Sequence, residues 1–267
     1  MDLVGVVFAF LSLGAISGFF AGLLGIGGGV ILVPGLLWIF SASGLMVEPS
    51  MQLAVGTSLA TIFVTALSSY WGHRRHGAVH GRVWLRMAPG LVAGGLAGAV
   101  IAGQMASETL VVVFALFMFS VALLLLRDVK PRRARPLPGG AGLFMAGVII
   151  ASVSALLGIG GGTLTTPYLL WHRFDLRQAI ATSAACGVPV TGAGAVGYLL
   201  ADWHSSMSAA MPWQTGYVYW PAVISLSVSA MLTAPWGAGL THSLPVGTMR
   251  KIFALLLVVV GIHLLTE

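Results

Sequence analysis

Apolar residues fill this chain in ten stretches, at about 3–24, 29–42, 51–71, 84–104, 108–126, 141–157, 162–172, 178–200, 216–240 and 247–265, with glycines, prolines and charges marking the breaks. Most stretches approach the length of about 20 residues that a helix needs to cross about 30 Å of hydrocarbon. The pattern predicts an all-α fold, a polytopic membrane helical bundle of about ten segments. The second and seventh stretches are too short for a full crossing and suit broken or re-entrant pieces. Each directly follows the string LLGIGGG, at 23–29 and 156–162, and each carries a proline five residues past the last glycine, Pro34 and Pro167.

That string is one of several matches between the two halves. Pro34 and Trp38 precede Pro167 and Trp171 by 133 positions, and AVGTS at 54–58 answers AIATS at 179–183. The chain reads as an internal duplication of five segments per copy: a first repeat at 1–127, a basic cytoplasmic linker at 128–140 and a second repeat at 141–267, together one integrated membrane domain. Composition agrees with life in lipid, since 58% of residues are hydrophobic, 7% are charged and the mean hydropathy is +0.98. Those polar groups are too few to cover a water-soluble globule. The first stretch opens on an acidic residue without a basic region, so it is expected to stay in the bundle rather than be removed as a signal peptide.

Charge then orients the segments, because short basic loops stay cytoplasmic. All thirteen Lys and Arg residues fall in four places: Arg74 to Arg86, Arg127 to Arg135, Arg173 with Arg177, and Arg250 with Lys251. The opposite ends carry only Asp2, Glu48, Glu108, Asp202 and Glu267. With Asp128 and Asp175 counted among the basic loops, the inner side carries +11 and the outer side −5, matching the formal +6. The basic loop after segment three corresponds to a loop after segment eight that holds no Lys or Arg. An odd number of segments per copy and this charge asymmetry both imply inverted-topology repeats, as in many secondary transporters, with both termini outside.

Inside hydrocarbon, a glycine-rich turn leaves backbone N–H groups that lipid cannot satisfy, so it is tolerated only against protein or a water-filled cavity. Helices starting at about 28–30 and 161–163 would present free N–H groups and the positive end of a dipole, for which an anion is the natural ligand. Close helix packing through small residues is the competing explanation for the glycines. Hydroxyls of Thr57, Ser58, Thr182 and Ser183, at matched positions in segments three and eight, could donate to substrate oxygens or bond back to their own helices. The candidate binding set is therefore Gly27, Gly28, Gly29, Thr57, Ser58, Gly160, Gly161, Gly162, Thr163, Thr182, Ser183 and Cys186, with Cys186 also readable as a small buried hydrophobe. No Asp, Glu, Lys or Arg stands mid-span, whereas ion-coupled carriers usually hold one.

Other features weigh less. His73, His76 and His80 lie in the basic loop HRRHGAVHGR, better read as a solvated, lipid-facing loop than a metal site. His263 and the end-of-segment aromatics Trp71, Trp84, Trp203, Trp213 and Trp220 suit the membrane interface. No GxSxG, no HExxH and no mid-span pair of acids or histidines supports an enzyme, and no metal, cofactor or nucleic-acid partner is expected. The single cysteine excludes an internal disulfide.

The duplicated LLGIGGG with its prolines, the A-[VI]-x-T-S strings, and the late MPWQTGYVYWPA, PWGAGLTHSLP and MRKIFALLLVVVGIHLL together resemble the TauE/SafE family of sulfite and organosulfonate exporters, over nearly the whole chain. The resemblance implies a bacterial cytoplasmic-membrane transporter for small sulfur-containing anions such as sulfite, thiosulfate or sulfonates, often moving them outward; apart from the resemblance, protons are a candidate coupling ion. The residues and the resemblance converge on an anion, since sulfur oxyanions suit convergent amide and hydroxyl donors. TSAACGVPVTGAG in the second half stands where the first has TSLATIFVTALSS, so the two sides of the site are chemically unequal. A passive anion channel and a non-transporting membrane scaffold or receptor component are the alternatives to a carrier.

Overall fold

The computed structural model describes residues 3–24, 28–44, 51–75, 79–126, 136–201, 212–240 and 246–266. These form ten helices: α1 (Leu3–Leu24), α2 (Gly29–Ser43), α3 (Met51–Arg75), α4 (Gly81–Gly103), α5 (Ser107–Leu126), α6 (Gly140–Leu156), α7 (Gly162–Trp171), α8 (Leu176–Ala201), α9 (Trp220–Leu240) and α10 (Val246–Thr266). The chain is an all-α membrane bundle, and α1, α3, α4, α5 and α8 each contain an apolar stretch long enough to span a bilayer. The ten residues of α7 rise only about 15 Å, half of the hydrocarbon thickness. It is a half-span.

The ninth helix starts later than its apolar stretch suggests. Residues ahead of Trp220 form a small antiparallel hairpin, β1 (Gln214–Thr215) and β2 (Val218–Tyr219), closed by Gly216 at φ 53°. Its turn is pinned to the end of α8, where the Tyr217 N–H donates to the Tyr198 carbonyl at 3.2 Å. Gln214 and Thr215 are polar whereas Tyr217, Val218 and Tyr219 are largely apolar, so the apolar stretch at 216–240 runs the second strand together with the helix that follows.

Packing interleaves the two halves of the chain that the sequence reads as repeats. α1 lies along α9 and α4 along α6, so the first helix of each repeat rests on the fourth helix of the other; α3 and α8 meet between these pairs, and α5 pairs with α10. The close approach comes from glycine. Gly14 and Gly18 of α1 sit on the backbone of Leu226 and Ala230 in α9, while Gly90, Gly94 and Gly98 of α4 sit on the carbonyls of Phe144, Val148 and Ser152 in α6. A four-residue spacing puts each set on one helix face, and a Cβ at any of these positions would collide with the facing backbone.

Two apolar cores follow from that arrangement. One gathers α4, α6, α7 and α8 around Met87, Leu91, Ala151, Leu169 and Val190. The other gathers α1, α2, α3 and α9, with α5 and α10, around Phe10, Leu36, Phe40, Leu59 and Tyr219, and takes in Ala99 and Ala102 of α4, Ala155 of α6, and Ala195 and Tyr198 of α8. Each core centres on the first three helices of one half and the fourth helix of the other, and the larger one reaches across to the opposite half through α4, α6 and α8. Outside the cores, large apolar side chains face outward along α1, α5, α6 and α10, as lipid contact requires. Two of the expected interface tryptophans have further partners: Trp84 Nε1 donates to the Ala185 carbonyl of α8 at 3.0 Å, and Trp220 Nε1 to Thr215 Oγ1 at 3.2 Å. Trp203 lies outside the described residues.

Candidate substrate-binding site

The second LLGIGGG string resolves into a helix stop followed by a helix start. α6 ends in a Schellman turn: the Gly158 N–H donates to the Ala155 carbonyl at 3.3 Å and the Ile159 N–H to the Ser154 carbonyl at 3.0 Å. Gly158 occupies the left-handed region at φ 67°, where a side chain would be strained. Two residues later Gly161 becomes the N-cap of α7 without any side-chain capping bond. Gly28 plays the same part for α2, also uncapped, while Gly27 lies outside the described residues. The contrast is α8, whose first turn is capped by Asp175, with Oδ1 accepting from the Gln178 N–H at 2.7 Å.

The two breaks abut. Gly29 lies directly on Gly158 and Ile159, so that a Cβ there would stand 2.5 Å from the Gly158 carbonyl oxygen. That oxygen accepts a hydrogen bond from Ser58 Oγ at 2.8 Å, tying α3 of the first repeat to the break of the second. Gly28 is fixed from α1, where Ser17 Oγ donates to its carbonyl at 3.0 Å. Gly160 faces Ile62 of α3, and Gly161 packs against Cys186, Gly187 and Val190 of α8. Gly28, Gly29, Gly160 and Gly161 are all buried. Among the described residues, no acceptor receives the N–H of Gly160, Gly161 or Gly162. The result is two uncapped helix N-termini converging inside protein, a place where backbone donors and dipoles favour negative charge.

The hydroxyl residues divide between holding the backbone and bordering the breaks. Thr57 Oγ1 accepts the Tyr219 N–H at 3.1 Å, and Thr182 Oγ1 accepts the His80 N–H at 3.0 Å. These two bonds are equivalent across the duplication, because Tyr219 and His80 each immediately precede the fourth helix of a repeat. Each threonine oxygen thus anchors a helix entrance. Ser183 Oγ donates to the Ile180 carbonyl at 2.9 Å and accepts from Thr166 Oγ1 at 2.7 Å, joining α7 to α8. Thr163 stands half-buried in the first turn of α7, and Cys186 is fully buried beside Gly161.

Three residues outside the candidate set also belong to this region. Thr166 bonds Ser183 as above, and Ser154 and Thr165, fully buried on either side of the second break, keep hydroxyl oxygens without a hydrogen-bond partner. A signal was present in the sequence: α7 begins Gly-Thr-Leu-Thr-Thr where α2 begins Gly-Val-Ile-Leu-Val. Of the loop histidines, His80 is exposed with its ring 5.3 Å from that of Phe174, and His76 lies outside the described residues. Among the described residues no group of three or more His, Cys, Asp or Glu side chains could hold a metal.

Comparison with known proteins agrees with this architecture. The model of a family described as Sulfite exporter TauE/SafE matches residues 10–264. The chain is 32% identical over 260 residues to a probable membrane transporter protein of Haemophilus influenzae, covering 95% of this chain and 96% of that one. It is 26% identical over 275 residues to the probable membrane transporter protein YunE of Bacillus subtilis, covering 96% of each, and 25% identical over 259 residues to a probable membrane transporter protein of Methanocaldococcus jannaschii, covering 94% and 92%. No solved structure matches the chain. A helical bundle with abutting glycine breaks, matched by the family's model over residues 10–264 and by probable membrane transporters over most of its length, belongs to the sulfite exporter TauE/SafE family of membrane transporters.

Proposed function

We propose that this membrane transporter carries small sulfur-containing anions, such as sulfite, thiosulfate or a sulfonate, outward across a bacterial cytoplasmic membrane by alternating access. The observation that carries the reading is the meeting of two uncapped helix N-termini, buried at Gly28–Gly29 and Gly160–Gly161, with no charged side chain among the described residues of the two breaks. Convergent amides and hydroxyls match an oxyanion and offer little to a cation. The family description names sulfite export, and the basic loops, placed inside, concentrate anions at the inner mouth.

In this reading the glycine amides hold the anion; Thr57, Ser58, Thr182 and Ser183 keep the two breaks and the neighbouring helix entrances in place and border the same space. Protons are the candidate coupling ion. Flux of sulfite and of a sulfonate into proteoliposomes, with and without a proton gradient, tests the proposal. Saturable flux that is abolished in Gly161→Leu protein of wild-type thermal stability supports it. Uphill accumulation driven by the gradient distinguishes a coupled carrier from a passive channel, and no flux for any sulfur anion would overturn the transport of such anions altogether.

A further inference from the structure

We infer that the break of the second repeat alone recognises the substrate, through the Gly160–Gly162 amides together with Thr165 Oγ1 and Ser154 Oγ, and that this uncharged cradle of hydrogen-bond donors selects a monoanion, hydrogensulfite or a sulfonate, over a dianion. The inference rests on the transport reading above and assigns residues and a charge state to it. Both hydroxyls are fully buried and unpartnered, a costly condition for a polar atom surrounded by protein. Helical side chains lean toward the N-terminus of their helix, which aims Thr165 back over Gly161 and Gly162. Leu169, one turn beyond Thr165, and Ala151, one turn before Ser154, pack in the same core. The two hydroxyls therefore face the same side of the break.

The first repeat offers no counterpart. By the 133-residue offset, Leu32 stands for Thr165, Ala21 for Ser154 and Val33 for Thr166. Leu32 and Val33 are buried in the apolar core. Gly29 is sealed against Gly158 and Ile159, leaving no room for a methyl group, still less for an oxyanion. The first break is thus a wall and a spacer for the second.

Charge selectivity follows from the donors. The basic and acidic residues of the described helices stand at helix ends, Arg82 and Arg86 in α4, Glu108 in α5 and Arg177 in α8, so a buried anion meets hydrogen-bond donors and dipoles but no counter-charge. Desolvation rises with the square of the charge, whereas the donors answer it only in proportion to the charge. A dianion is disfavoured, which narrows the substrates named above to hydrogensulfite and sulfonates and sets thiosulfate, a dianion, aside.

The test measures ligand-dependent thermal stabilisation and proteoliposome flux of the wild-type protein, Thr165→Val, Thr165→Ser and Ser154→Ala with methanesulfonate, sulfite and sulfate. Removing one hydroxyl donor to a buried anion weakens apparent affinity about tenfold or more. The expected result is that loss in Thr165→Val and Ser154→Ala, retention in Thr165→Ser, no response to sulfate, sulfite binding that fades as pH rises and hydrogensulfite deprotonates, and methanesulfonate binding independent of pH. Should Thr165→Val fail to fold, Ser154→Ala carries the same comparison. Wild-type transport with unchanged affinity in Ser154→Ala and in every folded Thr165 variant, or with sulfate accepted equally, overturns this inference and leaves the transport reading intact. Absence of wild-type binding and flux for all three anions overturns both.

Discussion

At the scale of single residues, the site depends on atoms that are missing from glycine. Gly28 shows this most cleanly, because a Cβ there meets Ser17 Oγ head-on and yet lies an ordinary 3.4 Å from Ser17 Cβ. Gly28→Ala should therefore destabilise the protein by about 1–3 kcal/mol, as overpacking in a closed site does. In a Ser17→Ala background the same change should lose much of that penalty. A double-mutant cycle on thermal unfolding in detergent reads the coupling, and strict additivity would contradict the contact. Gly29 offers no such rescue, since the obstacle is the backbone of Gly158 and Ile159. Ser58 works from the other direction: Ser58→Ala leaves the buried Gly158 carbonyl without its donor and should cost about 1–3 kcal/mol. A stability equal to wild type would show that the carbonyl finds another donor.

At the scale of elements, the threonine ties at the two helix entrances make a paired prediction. Thr57→Val removes the acceptor of the Tyr219 N–H, in a residue only 8% exposed, whereas Thr182→Val removes that of the His80 N–H, in an exposed residue that water can reach. An orphaned buried amide costs about 1–3 kcal/mol and a solvated one much less, so Thr57→Val should lower the unfolding temperature more. Equal shifts would refute the argument. The helices around these ties were readable in advance: hydropathy located all ten, with α1 and α2 starting where the apolar stretches start, because hydrocarbon thickness imposes a length on them. The glycine strings were readable as breaks. Hydropathy reports depth rather than neighbours, however, so it could not show that Gly90, Gly94 and Gly98 serve packing while Gly158 serves a turn. Nor could it reveal the hairpin before α9, or that Ser154 and Thr165 are buried without partners while Thr57 is engaged.

At the scale of the whole molecule, interleaving bears on what moves. If the sequence repeats rocked against each other as bodies, α1 would slide on α9 and α4 on α6, across interfaces where glycines seat one backbone on another. Close-packed interfaces of this kind resist sliding. We propose that the rocking units are instead the helix groups on which the two cores centre, α1, α2, α3 and α9 against α4, α6, α7 and α8, each stapled by its own threonine tie, Thr57 to Tyr219 and Thr182 to His80. They meet along α3 and α8, with the glycine breaks between them, and again where Gln52 of α3 donates to the Ala102 and Met105 carbonyls at the end of α4. This division is testable with disulfides in a Cys186→Ala background. A Cβ on Gly187 of α8 would lie 3.6 Å from the Cβ of Ala66 in α3, within the usual disulfide range, and this pair spans the two bodies. A Cβ on Gly103 of α4 would lie 3.1 Å from that of Ala201 in α8, a pair inside one body that reaches disulfide range once the helices part by a few tenths of an ångström. Oxidising Ala66→Cys with Gly187→Cys should arrest flux reversibly, with reductant restoring it, whereas oxidising Gly103→Cys with Ala201→Cys should leave flux close to its reduced value. If the second bond arrests transport and the first does not, α4 and α8 move against each other and the two helix groups are not the rocking units.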